Sequence, residues 1–348
     1  ATTLKVMSVG FNGSESEVRE YHYLIRQSTV VLDLAEGWNW VSHDVAESVA
    51  VSELQQMASQ LLTPSELATI DASVAFKMQT AAPMHHSFSG DQYNPSAHTI
   101  ELTQGWNWLG YPISSGQMLG DAFAQLNVEE GDVVASLTDG FAIYSDGQWW
   151  GQLSRMTPGQ GYMFRSSSNK PLVYRDAAVA EPLHAVGYHP RRSLPESWKV
   201  APHNHHSMMC LTAQFTIKGE PADASAYSVG VFSGDECRGV AQVIDGLLYL
   251  PVYGDTEGEE LTVQAIDSTT GEILLADTPT VLTFTADALG TPSEPFVLNI
   301  GTPDGIDGLA SDPSALEPGR VFDLSGRRVG HRPEKGVYIV DGKKIAIK

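Results

Sequence analysis

The tetrapeptide Gly-Trp-Asn-Trp occupies residues 37–40 and again residues 105–108. Its surroundings repeat as well. In "VVLDLAEGWNWVSHDV" and "HTIELTQGWNWLGYPI", Leu32, Leu34, Trp38 and Trp40 stand against Ile100, Leu102, Trp106 and Trp108 at a constant offset of 68. Apolar residues at every second position mark a half-buried strand. A duplicated unit that opens on such a strand is the strongest constraint on what this chain can fold into.

A helix is expected after each tryptophan pair. Leu54, Ala58 and Leu61 in "SELQQMASQLL", and Leu119, Phe123 and Leu126 in "MLGDAFAQLN", share the i, i+4, i+7 spacing of one buried face. The offset falls to 65 here, which implies a three-residue insertion in the first copy. Ser52 with Gln55, and Thr63 with Glu66 around Pro64, fit capping boxes, the second opening a short helix at 64–70. The second copy continues into "FAIYSDGQWWGQL", where Asp146-Gly147 between β-rich runs signals a hairpin that the first copy lacks. The units are placed at 29–95 and 96–175. Each tryptophan pair shares one strand face, which suits either a stacking platform for a sugar ring or a core. Because an amphipathic helix follows and needs an apolar partner, the pairs are expected to pack against it.

Residues 176–197 hold three prolines and no sustained period, and are expected to be a linker. Beyond them the chain looks all-β. Strand-like runs at 207–217, 227–233, 238–244, 247–253, 261–267, 273–276, 280–285 and 296–300 are separated by Gly, Asp and Pro turns, as in a jelly-roll or immunoglobulin-like sandwich over 198–301. A second linker at 302–319 precedes a small β domain at 320–348 with Asp341-Gly342 as its last turn. Residues 1–28 are expected to be the closing strands of a preceding domain or an N-terminal extension. The fold class is thus mainly β and multi-domain: two α+β repeat units of strand, helix and strands, an antiparallel β-sandwich, and a small C-terminal β domain.

The 348 residues are too many for one ordinary core. With 21 basic and 42 acidic side chains the net charge is −21, which repels nucleic acid and anionic membranes. Residues 320–348 carry 8 Lys/Arg and 3 Asp/Glu, a net of +5, so residues 1–319 carry −26 and the tail is electrostatically distinct. No run reaches the ~18 consecutive apolar residues of a membrane-spanning helix. The chain opens at Ala1 without a leader, which fits a removed signal peptide or a piece of a longer protein. Cys210 and Cys237 are the two cysteines, enough for one bridge if their strands are neighbours.

The run "VFDLSGRRV", then "KGVYIV", a turn and a Lys-rich end resembles the C-terminal sorting domain of type IX secretion cargo in Bacteroidetes-type bacteria. That resemblance implies export across the outer membrane, contact with the secretion machinery, and a tail that is read as an address and often cleaved. The stretch from "LTQGWNWLGYPI" to "MTPGQGYMF" is similar to a tandem GWNW module of multi-domain surface and secreted proteins of the same bacteria. "WKVAPHNHHSMMCLTAQFTI", "VGVFSGDECRGVA" and "LYLPVYG" resemble an all-β module with the same "CRG" signature.

For binding, Trp149 and Trp150 are adjacent on a strand and must point to opposite faces. With Tyr144, Tyr162 and the polar Gln148 and Gln152 they form the candidate aromatic surface for a glycan, weighed against inter-domain packing. The run "HNHH" at 203–206 puts His203 and His205 on one side. A transition-metal site needs three or four converging ligands, and without a nearby Cys or carboxylate solvated loop histidines are expected. "SGDECRG", "YGDTEGEE" and "TPDGIDG" gather oxygens that calcium favours, though none has the spacing of a known calcium loop. No GxSxG, HExxH, Walker loop or Cys/His dyad is present, and the acid pairs Glu129-Glu130 and Glu259-Glu260 specify no glycosidase geometry. The chain is therefore read as a non-enzymatic exported adhesion or ligand-binding protein, with a glycan or a host or extracellular protein as partner. The alternatives are the accessory C-terminal region of a secreted hydrolase and a structural surface spacer.

Overall fold

The computed structural model describes residues 2–11, 13–23, 27–28, 30–175, 194–275 and 282–301, and as backbone strands 308–310, 321–322, 336–340 and 343–347. Both tryptophan-bearing segments, Gly37–Val41 and Gly105–Leu109, are strands. Each starts on a glycine in the left-handed region, with φ of 92° and 94°, which a side chain would oppose. The asparagine two residues later closes that turn. Asn39 Nδ2 donates to the carbonyls of Ala35 and Gly37 while its Oδ1 accepts from Ala35 N. Asn107 repeats the pattern on Thr103 and Gly105. Glycine and asparagine thus build the turn, and the two tryptophans are left to share one face.

The strand pairings map between the repeats, all of them antiparallel. Leu32–Leu34 pairs with Met84–His86 as Ile100–Leu102 pairs with Lys170–Leu172. Gly37–Val41 pairs with Phe76–Thr80 as Gly105–Leu109 pairs with Tyr162–Ser166. Val49–Ala50 pairs with Thr69–Ile70 as Gln117–Met118 pairs with Arg155–Met156. The offset is 68 at the first partner of each pair and 86 at the second (76 to 162), so the second repeat is longer by 18. That length holds the hairpin Gly140–Ser145/Gln148–Gly151, which widens its sheet to five strands against three in the first repeat.

The helices are shorter than the spacing predicts. They run Val51–Met57 and Leu119–Ala122, so the offset stays at 68 through their starts and does not slip to 65. Leu61 belongs to the strand Gln60–Leu62, and 64–70 contains no helix but the strand Thr69–Ile70. Neither capping box forms: Ala50 is the N-cap without a side-chain bond, and Thr63 Oγ1 donates to Ser65 O at 2.6 Å. Short helices gain little from their own hydrogen bonds, and pairing of Gln60–Leu62 with Phe76–Thr80 takes the residues instead. Leu54 still enters the core of repeat one, and Leu119, Phe123 and Leu126 that of repeat two.

The repeats meet along a pseudo-two-fold seam. Ser42 N donates to Gly159 O at 3.0 Å and Gly110 N to Ser73 O at 2.8 Å. Gly161 N donates to Trp40 O at 3.0 Å and Ala75 N to Trp108 O at 3.2 Å. Under the two offsets each bond maps onto its counterpart, the reciprocity of an isologous interface.

The sandwich forms as expected, with Ser207–Ile217, Tyr227–Ser233 and Phe296–Ile300 at the expected bounds. Its core is filled by Met209, Leu211, Phe215, Leu250, Val263 and Phe284. It is not wholly antiparallel, because Ala288–Leu289 and Phe296–Ile300 run parallel to Ser207–Ile217. Asp146-Gly147 and Asp245-Gly246 both take positive φ, as hairpin turns of this type require. The terminal strands Gly308–Ala310, Val321–Phe322, Gly336–Val340 and Lys343–Ile347 form one four-stranded sheet. Gly308–Ala310 falls inside the expected linker 302–319, and pairs in parallel with Lys343–Ile347. The first linker's residues 176–193 and the Asp341-Gly342 turn lie outside the described residues. At the other end, Thr2–Val6 pairs with Arg19–Tyr23 as a separate hairpin. Among the described residues no helix is long and apolar enough to cross a membrane.

Candidate functional site

The tryptophans pack, but not against the helix of their own unit. The helix covers the opposite face of the strand, where Val41 meets Leu54, Phe76 and Met78. Trp38 and Trp40, 5 % and 7 % exposed, enter a cluster with Val133, Phe141 and Ile143 of repeat two and Met208, Cys210, Tyr249 and Tyr253 of the sandwich. The strand Ser207–Ile217 alternates Met208 and Cys210 outward with Met209 and Leu211 inward, so the sandwich offers a second apolar face. Polar groups fix the docking. Trp40 Nε1 donates to His206 O at 3.0 Å, Tyr253 Oη to Leu137 O at 2.8 Å, and Gln152 Nε2 to Tyr249 O at 2.6 Å. Trp106 Nε1 and Arg165 Nε both donate to Asp287 Oδ1, at 2.9 and 3.0 Å.

Where the repeats meet, Lys77 Nζ lies 4.6 Å from the Trp40 ring centroid and 4.7 Å from that of Trp108. The two rings occupy equivalent positions of the two repeats. Burial lowers the Lys77 pKa to about 8, with Asp255 pulling weakly the other way. Nothing in the sequence singles this lysine out beyond its place on a strand paired with Gly37–Val41.

The "HNHH" segment is not a solvated loop. His203 Nδ1 donates to Trp38 O at 2.6 Å, and the His206 ring meets Trp38 edge-on at 5.3 Å. His205 is buried between Asp255 (Nδ1 to Oδ2, 2.9 Å) and Glu236 (Nε2 to Oε1, 3.1 Å). Arg238 reaches Glu236 at 3.2 Å and Glu259 at 3.1 Å. Carboxylates distant in sequence therefore converge on these histidines as hydrogen-bond partners. Burial pushes the Glu236 carboxyl up, but the His205 hydrogen bond and the Arg238 charge outweigh it and hold it below the usual range. Burial holds the His206 imidazole below its ordinary value against the pull of Asp255. These contacts engage Glu236 of the "SGDECRG" loop and Asp255 and Glu259 of the "YGDTEGEE" loop considered for calcium, whereas residues 302–307 of the third loop lie outside the described residues. Among the described residues no cluster of His, Cys, Asp and Glu has the arrangement of a metal site.

The aromatic surface divides. Tyr144 and Trp149 are cross-strand partners on one face, half-buried and edge-on at 5.4 Å, with Phe123 5.6 Å beneath Trp149. Trp150 points to the other face, as alternation requires, and joins the sandwich-facing cluster with Nε1 donating to Ser145 O. Gln148 is exposed beside the plate. Tyr162 is not part of it: fully buried, it sits in the core of repeat two because its strand lies inside the sheet, between Gly105–Leu109 and Val133–Ser136, and turns Tyr162 and Phe164 to the core-facing side. The cysteines are free thiols, Cys210 facing the repeats and Cys237 packed with Trp198 and Phe232 on the far sheet, so the bridge does not form.

A cleft of about 300 Å³ opens where the three units meet. Leu34 and Trp40 come from repeat one, Thr138, Pro158 and Gln160 from repeat two, and His203 from the segment entering the sandwich. Sequence reading did not find it, since its walls are up to 172 residues apart (31 to 203) and share no motif. Compared with known proteins, no family model, curated protein or solved structure matches this chain.

Proposed function

We propose that this chain is an exported, non-enzymatic adhesion or ligand-binding protein of the bacterial surface, with a glycan contact at the Tyr144–Trp149 plate. The observation that carries this is the partition of the hairpin's rings. Trp150 packs on the inter-unit cluster, while Trp149, equally half-buried but on the other face, rests on Phe123 and meets Tyr144 edge-on beside the exposed Gln148. The open part of the Trp149 ring, with Tyr144 at its edge and a hydrogen-bonding amide alongside, suits the apolar face of a sugar ring. A glycan and matrix-protein array probed with the intact chain tests it. Trp149→Ala is expected to abolish binding to whatever the array captures, and Trp150→Ala to leave binding in place while lowering the melting temperature. Binding that survives Trp149→Ala removes the plate from the site.

The terminal β sheet, of opposite charge to the rest, is proposed as the export address. In a cell with type IX machinery, deletion of 320–348 is expected to trap the protein in the periplasm; unchanged surface display contradicts the address. A second reading, the accessory region of a secreted hydrolase, is favoured by the N-terminal hairpin. Leu4, Val6 and Tyr21 lie exposed on one face of it, as in strands that close another sheet. The gene sequence upstream of Ala1 tests that reading directly.

A further inference from the structure

The three-unit cleft lies apart from the aromatic plate, and its polar groups have fixed orientations. His203 Nδ1 donates to the Trp38 carbonyl at 2.6 Å. In the neutral imidazole that bond places the proton on Nδ1 and leaves Nε2 as an acceptor. Gln160 Oε1 accepts from Tyr162 Oη at 3.0 Å, and that oxygen accepts in turn from Thr157 N at 2.6 Å. The chain of bonds orients the Gln160 amide and leaves its Nε2 as a donor.

The lining includes no Lys or Arg, and its one acid, Asp33, pairs with His85 at 2.5 Å. An anionic ligand finds no counter-charge there and meets a body with a net charge of −26 over residues 1–319. A wholly apolar ligand would strip water from the Gln160 donor and the His203 acceptor without replacing its bonds, which disfavours its binding. What remains is a compact ligand whose groups both donate and accept and whose rings have apolar faces for Leu34 and Pro158. The volume is at the small end of the range in which proteins hold organic ligands.

We infer that the cleft between the two GWNW repeats and the sandwich is a binding site for a neutral mono- or disaccharide. This goes beyond the plate at Tyr144 and Trp149, and variants separate the two. The test uses the full chain with glucose, maltose, cellobiose and N,N′-diacetylchitobiose as probes at up to about 20 mM, the weak end of specific binding. Saturation-transfer NMR reads contact, and tryptophan fluorescence gives the affinity. N-acetylneuraminic acid and inorganic phosphate serve as anionic arms.

At least one neutral sugar is expected to bind more tightly than either anion. Thr138→Trp, at an exposed position on the rim, is expected to fill the cleft and weaken that sugar by about tenfold or more. Gln160→Glu keeps the acceptor for Tyr162 but removes the donor, and is expected to give a similar loss with the fold intact. Trp149→Ala is expected to leave this affinity within about twofold. The inference is overturned if no neutral sugar binds, if an anion binds more tightly, or if Trp149→Ala removes binding that Gln160→Glu leaves unchanged.

Discussion

A lysine amine placed between two indoles gains attraction from both rings and loses its water. Lys77 is 6 % exposed, and burial lowers its pKa from the ordinary 10.5 to about 8. Between those values the unfolded chain binds more protons than the folded one, so this residue makes stability rise with pH across that window. Below pH 8 the folded protein carries the full cost of a buried ammonium. The cation–π contacts with Trp40 and Trp108 limit that cost, and the shift leaves a net penalty on the order of 1–3 kcal/mol at neutral pH. Met163 stands at the equivalent place in repeat two, opposite Trp108, so a thioether fits the slot. Lys77→Met is therefore expected to stabilise the protein at pH 7 by about 1–2 kcal/mol, the gain shrinking towards pH 10. Urea unfolding of both proteins across pH 7–10 checks this. A gain that does not change with pH would mean that the amine's charge is not the cause. The tyrosines that burial raises, among them Tyr93 and Tyr249 to about 12, act in the opposite direction above pH 10, but equally in both proteins.

The turn that opens each tryptophan strand explains why four residues repeat together, and it gives the two glycines different burdens. Gly37 and Gly105 share a positive φ. A Cβ on Gly105 meets nothing, whereas one on Gly37 would collide with the His203 carbonyl oxygen. Gly105→Ala is expected to cost about 1–2 kcal/mol, the left-handed penalty alone. Gly37→Ala should cost clearly more, because it also displaces the segment that seats the sandwich; equal losses in urea unfolding would exclude that contact. The same contrast shows what was legible in the sequence. Alternation identified Trp38 and Trp40 as sharing a face, and Asp-Gly pairs identified the hairpins, because both signals are local. The partner of that face was not legible: a strand has two sides, and the helix that follows took the other. Leu61 has the spacing of a helix but is claimed by a ladder with residues 77–79, which no local signal encodes. Tyr162 is grouped with the hairpin aromatics by sequence proximity, yet it lies on the buried side of an alternating strand, and no local signal says which side of that strand meets the core. His205 looked solvated because Glu236 and Asp255 lie 31 and 50 residues away.

Across the whole molecule, composition marks boundaries that packing does not respect. Trp38, Trp40, Val133, Phe141, Cys210 and Tyr249 share one apolar cluster drawn from both repeats and the sandwich. Removing any unit would expose the tryptophan face of another, so the three are coupled through tens of square ångströms of apolar surface per side chain. The described residues from 30 to 301 are therefore expected to unfold in one transition, with hydrogen exchange lost together in the Gly37–Val41 and Leu247–Gly254 strands. The terminal sheet differs, because its strands pair only among themselves. Its register dictates where the chain can be cut. Gly308–Ala310 pairs with Ile345, Ala346 and Ile347, so deleting 320–348 strands an unpaired segment, whereas deleting 302–348 removes the sheet whole. The 302–348 deletion is expected to leave the midpoint of the main thermal transition within about 2 °C, less than ~1 kcal/mol for a body of this size. A drop of about 5 °C or more would show that the tail packs on the sandwich and shares its cooperativity, and a tail held that way is poorly suited to serve as a detachable address.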